Sequence, residues 1–122
     1  MERYVMELTF AEIVVEVSRI GKDLSVAVSG GERPHIGCII LAVPRPSLRD
    51  DGKISCTSSV LNVTGHKDEV VCREIAETLC RKYHCTVAAA GGFHVDNMTV
   101  EQIREVQEQV SKFCHQIKKT AG

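Results

Sequence analysis

The chain has 122 residues, 15 basic and 16 acidic side chains and a net charge of −1, with 43% hydrophobic and 25% charged residues. That length supports one core and a single domain over residues 1–122, and the apolar fraction is that of a folded protein. A near-neutral balance provides no field to gather nucleic acid, and no apolar run reaches the roughly 18 to 20 residues needed to cross a bilayer, so neither nucleic acid nor membrane is an expected partner.

From Tyr4 to Arg19 the chain is rich in Val, Ile, Thr and Phe, and Gly21-Lys22-Asp23 offers a tight turn into Leu24 to Ser29, which together read as a long hairpin. Cys38 to Val43 is a continuous apolar run suited to a central strand, with Pro44 and Pro46 expected to end it because proline cannot donate to a ladder. Lys53 to Val63 follows as a fourth strand, with Ile54, Cys56, Ser58, Val60 and Asn62 on one side. Over Asp68 to Tyr83, apolar residues recur at steps of three and four, as an amphipathic helix requires. Thr86 to Ala90 reads as a short buried strand ending in paired glycines. A second helix is expected from Val100, opened by the capping-box pair Thr99 and Gln102 and striped by Ile103, Val106, Val110, Phe113 and Ile117.

The order β-β-β-β-α-β-α predicts an α+β domain, an antiparallel sheet covered by two helices. The N-terminus lacks the charged-then-apolar layout of a secretory signal, so the cytoplasm is the expected location and the six cysteines are expected as free thiols, packed as small apolar side chains.

Three turns each combine glycine with one histidine: Gly30 to Gly37 (GGERPHIG), Thr64 to Glu69 (TGHKDE) and Gly91 to Asn97 (GGFHVDN). If the first four strands alternate in direction and the helix returns the chain, all three turns lie at one end of the sheet. There, Arg33 can clamp a phosphate or carboxylate, and Pro34 holds His35 extended. Thr64 to Asp68 aims the N–H groups of a helix start, with Lys67 beside them, at an anion. Gly91-Gly92 suits the close approach of a flat ligand, with His94, Asp96 and Asn97 as donors and acceptors beyond it. Phe93 fits the core better than a stacking role, and Asn97 fits a turn before the Thr99 cap. His35, His66 and His94 also have the residue types of a three-imidazole metal site, but no H-x-H or H-E-x-x-H element presets its geometry. No serine, cysteine or acid stands in a recognisable catalytic signature.

Over roughly Leu24 to Gln109, the motifs G-G-x-x-P-H-I-G, then G-H-K-D-E opening a helix, then a small-residue strand ending G-x-H-V-D-N-M-T resemble those of the LpdD-like prenylated-flavin chaperones, the small D subunits that accompany gallate and phenolic-acid decarboxylases. The resemblance implies a non-catalytic protein that holds prenylated FMN or FMN as cargo and helps to deliver or mature it on a UbiD-type decarboxylase. It also implies a proteasome-assembly-chaperone-like fold and a homodimer. Carried over by position, it makes Arg33, His35, His66, Lys67, His94 and Asp96 the cofactor-binding residues, without dividing them between phosphate and ring. The competing readings are a three-histidine metal-dependent hydrolase or lyase, and an interaction module that holds no ligand.

Overall fold

In the computed structural model, which describes residues 1–63 and 69–119 and side chains as far as Ile117, six strands and two helices form one α+β unit. The strands are β1 (Glu2–Glu7), β2 (Glu12–Ile20), β3 (Asp23–Gly31), β4 (Cys38–Pro46), β5 (Ile54–Asn62) and β6 (Val87–His94). The helices are α1 (Glu69–Tyr83), between β5 and β6, and α2 (Val100–Lys119) at the end of the chain.

The first hairpin arm is two strands, not one. Leu8 N donates to Ala11 O at 2.8 Å to close a turn between β1 and β2. That turn has no glycine or proline; Thr9 is tied instead to α2, its N–H and hydroxyl donating to the Glu105 carboxylate at 2.6 and 2.7 Å. A contact 96 residues away in sequence sets a turn that local chemistry does not announce.

The prolines do not end β4. Pro44 and Pro46 stand opposite Cys56 and Ile54, while the pairing of β4 with β6 stops at Ala42. Beyond Ala42 the strand is bonded on one side only. Ser47 N donates toward β5, to Lys53 O, so alternation turns the nitrogens of Pro46 and Pro44 outward, where a missing N–H costs no ladder bond.

The sheet order is β1-β2-β3-β6-β4-β5, so β6 is inserted between β3 and β4. Four of the five pairings are antiparallel and β3–β6 is parallel. Because β4 is antiparallel to both β5 and β6, the strands β3, β5 and β6 all run the same way, and their C-terminal ends lie at one end of the sheet.

Both helices cover the same side. α1 packs across β4, β5 and β6, and α2 packs on α1 and reaches β1. Alternate residues of the strands fill the layer between, among them Ile13, Val15, Val28, Ile40 and Val87, against Cys72, Ile75 and Leu79 of α1 and Val110 of α2. The capping box forms as expected: Thr99 N donates to Gln102 Oε1 at 2.9 Å and Gln102 N to Thr99 Oγ1 at 3.1 Å. Val106, Val110, Phe113 and Ile117 are buried, but Ile103 stands outside the stripe, 43% exposed. All six cysteines are free, and five are buried, Cys56 being the partial exception. Burial pushes the Cys80 thiol up to about 12, the setting of an unreactive packing residue.

Candidate functional site

The common strand direction brings two of the glycine-histidine turns, Gly30 to Gly37 and Gly91 to Asn97, into direct contact. Glu32 N donates to His94 O at 2.7 Å, Gly37 N to Gly91 O at 2.9 Å and Val63 N to Gly37 O at 2.8 Å. The exits of β3, β6 and β5 are thus stitched together by backbone. His66 and Lys67 lie outside the described residues, in the segment that continues from Val63.

Side chains from the first and third turns meet above this backbone. Arg33 Nη2 lies 2.8 Å from His94 Nε2 and 3.2 Å from Asp96 Oδ1, and His94 Nε2 lies 2.7 Å from the same Oδ1. His35 turns its Nδ1 to Arg33 O at 2.9 Å, and its ring stands edge-on to that of His94 with centroids 6.3 Å apart. Four of the six expected residues, Arg33, His35, His94 and Asp96, therefore form one group.

The group is under-determined in a way that matters chemically. His94 Nε2 stands between a donor and an acceptor and can serve one at a time. Without a proton it accepts from Arg33; with one it donates to Asp96. The hydrogen bond from His94, followed by the charge of Arg33, holds the Asp96 carboxyl below its ordinary value, so it is a carboxylate at neutral pH. The cluster sits at the surface, with the Arg33 and Asp96 side chains 69% and 58% exposed. A ligand reaching it meets a planar cation, an anion and an imidazole side by side.

A metal fits this geometry poorly. The guanidinium of Arg33 already occupies the Nε2 side of His94, and a second cation there would face it at contact distance. Among the described residues no group of three histidine, cysteine or acidic side chains is arranged to hold an ion.

Gly91, expected with Gly92 to admit a flat ligand, is instead closed in by backbone, as are Gly30 and Gly31. A Cβ on Gly91 would stand 1.7 Å from Val28 O, one on Gly31 2.1 Å from His94 O and one on Gly30 2.3 Å from Glu12 O. The space beside each is filled by a neighbouring strand's backbone, so these residues allow the sheet to close, with no room left for a flat ligand at those points. Phe93 is buried, edge-on to Phe10, and Asn97 takes a left-handed turn conformation (φ 55°) before the Thr99 cap. The contact that sequence reasoning could not supply is Arg33 against Asp96 and His94, 61 to 63 residues apart, since it depends on β6 lying beside β3. A groove lined by Arg3, Tyr4 and Glu7 of β1 with Gln109 and Lys112 of α2 opens at the β1 edge of the sheet and shares none of these residues.

The family model of the prenylated flavin chaperone LpdD-like domain matches residues 9–122. The chain belongs to that family. No curated protein matches its sequence. Its fold is similar to that of a chain in the crystal structure of a chaperone complex for yeast 20S proteasome assembly, at a TM-score of 0.54 and 12% identity, over 97% of this chain and 93% of that one. Architecture is what the two share at that identity: an α+β sheet layered with helices, the proteasome-assembly-chaperone fold.

Proposed function

We propose that this member of the prenylated flavin chaperone family carries prenylated FMN, or FMN, as cargo at the convergent turn end of the sheet and passes it to a UbiD-type decarboxylase in the cytoplasm. The observation that carries this reading is the Arg33–Asp96–His94 cluster. The pyrimidine edge of a flavin ring offers an acceptor, a donor and an acceptor in a row. Arg33 as donor, Asp96 as acceptor and His94 as donor are its complement. His35 lies against His94 and supports its ring. The phosphate then falls to Lys67 and the start of α1, with His66 beside them, an assignment that rests on sequence alone.

Exposure favours a carrier over an enzyme. Catalysis on a flavin gains from excluding water, whereas cargo must leave, and a surface cluster of side chains that also satisfy one another can release a ligand without leaving buried polar atoms unpaired. The chaperone family supports a non-catalytic role, and the homodimer is what the family resemblance implies for the active form.

Native mass spectrometry under anaerobic conditions, with and without added prenylated FMN, tests the carrier reading. One flavin per chain is expected. A bound metal ion with no flavin uptake would replace it with the metal-enzyme reading, and no ligand of either kind would leave an interaction module. Riboflavin, which lacks the phosphate, separates the two halves of the site. Lys67→Ala is expected to weaken FMN and spare riboflavin, and Arg33→Ala to weaken both.

A further inference from the structure

The polar cluster at the turn end cannot by itself choose between the two cargoes. A prenyl unit adds only carbon and hydrogen to a flavin and leaves the acceptors and the donor of the pyrimidine edge in place. Arg33, His94 and Asp96 therefore meet the same groups on prenylated FMN as on FMN. Discrimination needs an apolar surface within reach of the cluster.

Such a surface lies on the next two strands. The order β3-β6-β4-β5 places the start of β4 beside the exit of β6, and the exit of β5 beyond it. The bonds from Gly37 N to Gly91 O and from Val63 N to Gly37 O hold these three points together. Ile36, between His35 and Gly37, is 60% exposed, and Val63 is 49% exposed. Leu61, near the end of β5, continues the patch at 70%. One exposed apolar side chain in a turn needs no explanation, but three on adjoining strand ends form a patch.

We propose, resting on the carrier reading above, that Ile36 and Val63, with Leu61 beside them, receive the prenyl-derived part of the cargo and select prenylated FMN over FMN. Strands about 4.8 Å apart put Ile36 roughly one spacing from β6 and Val63 roughly two, and two spacings, roughly 10 Å, is the span of three fused aromatic rings. A flavin whose pyrimidine edge is held by Arg33, Asp96 and His94 then lies across the strand ends, clear of the closed glycines, with its added carbons over Ile36 and Val63. The same path leads on from Val63 toward α1, the end to which sequence assigns the phosphate. Ile103 is also exposed, but it lies on α2 beside Glu105, which is bonded to Thr9 in the β1–β2 turn, and so stands on the other side of β3. Apolar carbons laid on Ile36 and Val63 leave water at no polar cost, and an open patch lets them go again on transfer.

The test is anaerobic calorimetric titration with FMN and with prenylated FMN separately, on the full chain and on Ile36→Thr, Val63→Thr and Ile103→Thr. Each substitution keeps the β-branch at an exposed position, so the fold should survive, and the melting temperature checks it. Wild type is expected to bind prenylated FMN about tenfold more tightly than FMN. Ile36→Thr and Val63→Thr should each weaken prenylated FMN about fivefold and leave FMN within about twofold, while Ile103→Thr changes neither. Equal loss of both flavins would make Ile36 and Val63 contacts of the common ring system and overturn the selection. Unchanged affinities would overturn the subsite, and a loss confined to Ile103→Thr would move the prenyl part to α2. A wild-type chain that binds both flavins equally would overturn the selection and keep the carrier. One that binds neither would overturn the carrier reading itself, and the subsite with it.

Discussion

β3 and β6 end side by side, and the residues at their ends divide into two kinds. Gly30, Gly31 and Gly91 are locked by backbone at distances a Cβ cannot occupy, whereas Arg33, His94 and Asp96, a few residues further on, are at or near the surface and grouped with one another. One short motif thus contains a requirement of the fold and a set of groups left over for chemistry. A glycine pair beside a histidine is therefore weak evidence for a ligand until the space around each glycine is known.

Gly91→Ala tests the first half and should have the largest effect. The atom it would meet is a carbonyl in the paired strand, with no flexible side chain to give way, so β3 and β6 must part at their only ladder. We expect a loss of about 3 kcal/mol, and a melting temperature lower by roughly 10 °C, by thermal denaturation of the ligand-free protein. Wild-type melting with lost flavin binding would reverse the division and make Gly91 a ligand residue.

Arg33→Ala should show the opposite pattern. An exposed ion pair contributes little to stability, so melting should stay within about 2 °C of wild type. A charge-assisted hydrogen bond to the ring edge, once lost, should weaken flavin affinity by about tenfold, measured by fluorescence titration. Equal melting and equal affinity would remove Arg33 from the site.

How far the sequence revealed this arrangement follows the same division. Periodicity located α1, α2 and β5 within a residue or two of their described bounds, because a one-sided apolar stripe is a local property. The relative directions of β3, β4, β5 and β6 were also legible, and they bring the C-terminal ends of β3, β5 and β6 to one end of the sheet, whereas the reversal between β1 and β2 was not. Neighbour relations were not. Nothing local says that β6 lies between β3 and β4, that Thr9 holds a turn through Glu105, or that prolines at positions 44 and 46 point their nitrogens away from β5. Arg33, His94 and Asp96 could be named from their turns, but their meeting follows from the parallel β3–β6 pairing, which the sequence expectation of an antiparallel sheet did not include.

Asp96→Asn should give the smallest effect and the sharpest one. Asn keeps an acceptor for the flavin ring but loses the charge that engages His94 and Arg33, so affinity should fall by only about two- to threefold at neutral pH. Its stability signature has a definite sign. The Asp96 carboxyl is depressed below 3.8, chiefly by the His94 hydrogen bond, so its contribution is complete above that value and is lost as pH falls through the lowered one. Wild type and Asp96→Asn should therefore differ slightly in melting temperature near neutrality and converge as the pH drops below 3.8. A gap that stays constant into acid cannot come from the carboxylate. It would place the difference in the shape of the turn, and move Asp96 from the group left over for chemistry to the group that the fold requires.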